Sequence, residues 1–75
     1  MDKTIPMTPV ASSNIAAVGY QNGTLAVQFT NGRLYHYSDV PPEVYAEMLA
    51  ASSVGKYFAS NVRGKYPAEQ QGRQQ

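Results

Sequence analysis

Two Asn-Gly dipeptides, Asn22-Gly23 and Asn31-Gly32, constrain this chain more than anything else in it. Asn-Gly between alternating segments is the strongest short-range hairpin signal, because both residues tolerate positive φ. The stretch between them, Thr24 to Phe29, alternates: Leu25, Val27 and Phe29 point one way, Ala26 and Gln28 the other. A strand from near Ser13 to Tyr20 precedes the first turn, and a strand from Arg33 to Ser38 follows the second. Such an order predicts a three-stranded antiparallel meander.

The second turn decides where Tyr35 and Tyr37 go. A two-residue Asn-Gly loop sets Phe29 opposite Leu34 and sends both tyrosines to the other face. A three-residue loop, Thr30-Asn31-Gly32, pairs Phe29 with Arg33 and sets Val27 opposite Tyr35 and Leu25 opposite Tyr37. A one-residue slip exchanges the two faces entirely. Composition chooses between them. Ile, Leu, Val and Phe make up only about 19% of the chain, just under the level at which disorder becomes a serious reading. Disorder also needs a high net charge, and this chain carries +1. Its six tyrosines must therefore supply part of the core, which favours the three-residue loop.

Pro41 and Pro42 with Glu43 mark a helix start. Val44, Tyr45, Met48 and Leu49 form its apolar stripe, and the helix should run from 42 to 51. Ser52 and Ser53 are candidate N-caps for a second helix, whose stripe is Val54, Tyr57, Phe58 and Val62 and whose end is Gly64. The core aromatics are then Tyr20, Phe29, Tyr35, Tyr37, Tyr45, Tyr57 and Phe58. Residues 1–9, with Pro6 and Pro9, read as a flexible lead-in, and 67–75 as a disordered Gln-rich tail. The expected fold is α+β: a three-stranded antiparallel β-meander followed by two short α-helices packed on one face, in a single domain over 10–66.

Several function classes drop out. There is no Cys, so no disulfide framework and no thiolate metal site, and one His cannot hold a zinc ion. No cofactor and no metal are expected. No window approaches the 18 apolar residues of a membrane span, and the first six residues lack a signal-peptide core, so a cytoplasmic monomer is expected. Glu43 and Glu47 share a helix face, but an exposed first turn offers no cleft in which to shift a carboxyl pKa. Gly19, Gly23, Gly32, Gly55 and Gly64 form no phosphate-binding pattern and read as turn and cap residues. No nucleophile, base and orienter can be assembled around His36, so the chain is not read as an enzyme.

The ordered pieces resemble a known family, the KTSC domain. They are Ser12-Ser13-Asn14-Ile15, Val18-Gly19-Tyr20, Leu25-x-Val27-x-Phe29, Asn31-Gly32, Tyr35-x-Tyr37, Val40-Pro41, Val44-Tyr45, Ser53-x-Gly55-x-Tyr57-Phe58 and Val62-Arg63-x-x-Tyr66. The family is named for the C-terminus of some lysyl-tRNA synthetases and also occurs as small free-standing bacterial proteins. The resemblance covers about residues 10 to 66 and implies a compact module with a suggested link to RNA.

The residues add a candidate surface. Lys56 and Arg63 lie seven apart and would share a face of the second helix, with Lys65 and Tyr66 directly after; residues 52 to 68 contain no acid. Arg33 at the second turn and His36 on the outward strand face could join them. Phosphate contact by the cations with Tyr66 stacking a base would make this a noncatalytic RNA-binding module, for tRNA or single strands. The bland alternative is an ordinary solvated face whose late basic residues suit the helix dipole. The rival function is a protein-interaction or accessory module, bacterial or phage, using an exposed sheet edge. Tyr35 and Tyr37 could themselves stack bases, but the register assigns them to the core.

Overall fold

The computed structural model describes residues 5–71. Seven elements follow in chain order: β1 Thr8–Pro9, β2 Ile15–Gln21, β3 Thr24–Phe29, β4 Leu34–Tyr37, α1 Pro42–Ala50, α2 Val54–Asn61 and β5 Ala68–Gln71. The class is α+β. The sheet has five antiparallel strands in sequence order rather than the three expected, because a strand is added at each edge.

The inner three strands follow from the two turns. Asn22 (φ 52°) and Gly23 (φ 81°) both take positive φ between the partners Gln21 and Thr24, the signature of a two-residue type I′ hairpin. The second loop is the three-residue form. Phe29 N–H donates to Arg33 O at 2.8 Å, and Gly32 N–H to Phe29 O at 2.9 Å. Gly32 takes φ 93°. Leu25 therefore faces Tyr37 and Val27 faces Tyr35, in the predicted register. β2 begins at Ile15, two residues later than expected, because Ser12 Oγ accepts the N–H groups of Asn14 and Ile15 and turns the chain there.

Helices cover the tyrosine face. Tyr20 stacks on Tyr45 of α1 with centroids 5.4 Å apart, and Phe58 of α2 meets Phe29 and Tyr37 edge-on at 5.5 and 5.4 Å. Between these rings lies a small aliphatic centre: Ile15, Val18, Leu25, Val27, Val40, Met48 and Val62 are all fully buried. All seven predicted core aromatics belong to this cluster, and Tyr66 packs on it as well. The Tyr20 hydroxyl donates to Val40 O and fastens the approach to α1 against the sheet. Leu49 departs from its predicted stripe and is 42% exposed, since α1 buries Met48 and half-buries Val44 and Tyr45 instead. Ser53 caps α2, its Oγ accepting Lys56 N–H at 3.2 Å, as expected of one of the two serines.

Both chain ends depart from expectation. Residues 5–9 are not a loose lead-in. β1 pairs with β2 through Thr8 and Val18, and Ile5 is buried on the sheet face opposite the helices. The reason is Gly19. A Cβ there would collide with the carbonyl oxygen of Pro6 and stand 3.0 Å from Ile5 Cγ2 and Met7 Sδ. Gly19 is thus neither turn nor cap; it is a mid-strand position emptied so that another stretch of backbone can lie on it. At the other end, residues 68–71 of the supposed tail form β5, with Tyr37 opposite Ala68 and Leu34 opposite Gln71. Ser38 N–H donating to Pro67 O at 2.9 Å starts that pairing. The sequence Ala68-Glu69-Gln70-Gln71 has no apolar pattern because the strand sits mostly exposed at the edge and contributes backbone pairing instead. Residues 1–4 and 72–75 of the predicted lead-in and tail lie outside the described residues.

Candidate functional site

The predicted site residues fall into three places. Lys56 is exposed in the first turn of α2. Arg63 lies just beyond the end of that helix, where its N–H donates back to Phe58 O at 2.9 Å. The two basic side chains border two adjoining cavities on one side of α2. Arg63 lines one of about 270 Å³ and Lys56 the other of about 410 Å³; Asn14, Gly55 and Ala59 line both. Lys65 and Tyr66 follow through Gly64, which takes φ 78°; Lys65 is exposed and Tyr66 half-buried against the core. Neither lines these two cavities.

Arg33 is exposed at the tip of the second hairpin, its N–H donating to Asn31 Oδ1 at 2.9 Å. His36 is elsewhere. It pairs with Ala26 and Glu69 on the outer sheet face, opposite the helices and the cavities. The structure therefore brings Lys56 and Arg63 together along one groove and leaves His36 out of it.

Sequence reasoning missed the rest of the groove. Its far wall is the Ser12–Asn14 turn and the Thr30–Asn31 loop, tied together by Thr30 N–H donating to Asn14 O at 2.9 Å. A signal was present in Gly55. A glycine inside a short helix costs stability, so it asks for a reason. Here the reason is close approach: a Cβ would stand 3.0 Å from Ser12 Oγ. The floor of the smaller cavity is apolar, formed by Ile15, Phe29 and Phe58. Among the described residues no acid lines either cavity, and each has one basic residue in its lining.

Of the two carboxylates that the sequence places on one helix face, Glu47 is used otherwise. Glu47 Oε1 accepts the Tyr57 hydroxyl at 2.7 Å, linking α1 to α2. That hydrogen bond, with burial and the Glu47 charge, raises the Tyr57 pKa above its ordinary value. Tyr37 is raised too, by burial first and by Tyr35 beside it, against a lowering pull from the Arg63 guanidinium. Among the described residues no group of three or more His, Cys, Asp or Glu is placed to hold a metal ion, and no helix is long and apolar enough to cross a membrane.

The arrangement is a small antiparallel sheet with two covering helices, and a groove beside the second. Residues 11–66 match the KTSC domain, and the chain belongs to that family. It is 44% identical over 64 residues to a protein of Tsukamurella paurometabola, covering 83% of this chain and 96% of that one. It is 33% identical over 67 residues to a lysine–tRNA ligase of Nostoc punctiforme, covering 87% of this chain but only 12% of the ligase. The crystal structure of a KTSC domain protein from Yersinia pestis superposes with a TM-score of 0.86 at 32% identity, covering 92% of this chain and 100% of that one.

Proposed function

We propose that this protein is a noncatalytic RNA-binding module whose contact surface is the groove along α2. The observation that carries the reading is the placement of Lys56 and Arg63 on adjoining cavities that no acid lines among the described residues. The ligase relative supports it, because the protein that carries the similar segment is named for tRNA. Binding is by phosphate contact from Lys56 and Arg63, with Lys65 close by in sequence. With so few cations the affinity is weak and falls as salt rises, by roughly 0.7 log unit per log unit of salt for each phosphate on a single strand.

An NMR titration of labelled protein with tRNA and with short single strands at low salt tests this. Shift changes should concentrate on residues 56–66 and on the Asn14 and Asn31 loops. Their absence there would sink the proposal. The rival, a protein docking at a sheet edge, would have to use β1 or β5, of two and four residues, and Pro9 in β1 has no N–H to offer. A protein partner that survives nuclease treatment would favour it.

A further inference from the structure

The smaller cavity has a chemistry that phosphate binding alone does not call for. Its floor contains the half-buried ring of Phe29 beside the nearly covered ring of Phe58, which is 3% exposed. Its rim carries the side-chain amides of Asn14 and Asn31, and Arg63 stands at the border. Asn31 Oδ1 already accepts Arg33 N–H, so its amino group is the part turned to other uses. The Thr30–Asn14 hydrogen bond fixes the two loops relative to each other, so the rim is preformed. An apolar ring, two amides and a guanidinium are what a flat ligand with a hydrogen-bonding edge and an attached anion requires.

At about 270 Å³ the cavity falls just under the usual range for drug-sized ligands. It suits one base with its sugar and excludes a duplex. The neighbouring cavity, bordered by Ser12, Ser53 and Lys56, has no aromatic residue and suits a sugar–phosphate backbone.

We propose that the cavity between α2 and the Asn14 and Asn31 loops takes a single unpaired nucleobase. The base lies against Phe29, its edge meets the amides of Asn14 and Asn31, and Arg63 holds its phosphate. Lys56 holds the phosphate of the adjoining nucleotide. This rests on the RNA reading and adds to it a preference for single strands over duplexes.

The test compares a short single-stranded RNA with an abasic strand of equal length, which keeps the phosphates and lacks the bases. The intact strand should bind about fivefold tighter or more, the lower end of what one stacked base is worth. Ala59 is exposed on α2, and Ala59→Leu keeps a strong helix former and narrows the groove; it should erase that preference. Lys56→Gln should lower the salt slope by about 0.7 and leave the preference intact. RNA binding with equal affinity for both strands and no effect of Ala59→Leu overturns the base slot and leaves the RNA reading standing. Nucleoside 5′-monophosphates are titrated in parallel. If they shift Asn31, Gly55 and Phe58 while no RNA binds, the slot stands and the RNA reading falls. If neither binds, both fall. Indole shifting the same resonances as strongly as the nucleotides would assign the cavity to a protein aromatic side chain and overturn base recognition.

Discussion

The two faces of the sheet are built on opposite principles. The helix face is filled by bulk: Leu25, Val27 and Val18 are fully buried under the rings of Phe58, Tyr37 and Tyr45. The outer face is filled by absence. Ala17, Gly19 and Ala26 are small, and the chain itself descends onto Gly19 at Ile5, Pro6 and Met7. One face is stabilised by apolar side-chain area, the other by how closely two backbones can approach. A face of large residues tolerates adjustment of a ring. Where backbone lies on backbone, as Pro6 does on Gly19, no side chain can turn aside.

That contrast is broken first by deletion on the helix face. Leu25→Ala should destabilise the fold by about 2–5 kcal/mol, read by urea denaturation, because the site is fully enclosed between sheet and helices. For a domain this small, that approaches the whole stability.

The same contrast explains what could be read from the sequence. Large residues at period two announce a face, so the inner meander and its register were legible from Leu25, Val27, Phe29, Tyr35 and Tyr37, while Tyr45, Tyr57 and Phe58 were legible from the helical stripes. Gly19 was not, because a glycine three residues before an Asn-Gly turn reads as part of that turn, and only its backbone neighbour Pro6 shows otherwise. β5 was illegible for a related reason. A mostly exposed edge strand needs backbone partners rather than an apolar pattern, and Ala68–Gln71 has none to display. Of the candidate site, Lys56 and Arg63 were paired by a helical spacing of seven, but α2 ends at Asn61 and Arg63 lies beyond it. The loops opposite them were not legible, because they come from the Asn14 and Asn31 turns, far from α2 in sequence.

Addition on the outer face is the second perturbation. Gly19→Ala should cost about 1–3 kcal/mol, as overpacking does, and should expose the Ile5 and Thr8 amides to hydrogen exchange. A neutral Gly19→Ala would mean that residues 5–7 do not rest on the sheet. A smaller effect is expected where the helix face is fastened by a polar contact. Tyr20→Phe loses the hydrogen bond to Val40 O while keeping the stack on Tyr45, for about 1 kcal/mol in the same denaturation assay.

The mildest perturbation is alkaline. Tyr37 holds its proton above the ordinary value of 10.0 because burial disfavours the phenolate. In the unfolded chain it ionises near that ordinary value. Its contribution is therefore complete below pH 10.0 and declines as pH rises through the higher folded-state pKa. Denaturation midpoints should fall above that pH, and less so in Tyr37→Phe. An equal fall in both proteins would locate the alkaline weakness elsewhere.

The placement of β5 beside β4 has a consequence for the order in which the molecule comes apart. Ala68 and its partner Tyr37 are separated along the chain by both helices, so this pairing closes the longest loop in the sheet, whereas the two inner hairpins close over a few residues. Contacts that close long loops form late and open early. The last strand therefore acts as a latch on the helix pair. While it holds, α1, α2 and the groove beside them are bound to the sheet from both ends, and amide exchange along Ala68–Gln71 becomes a clock for how often that half of the molecule lets go.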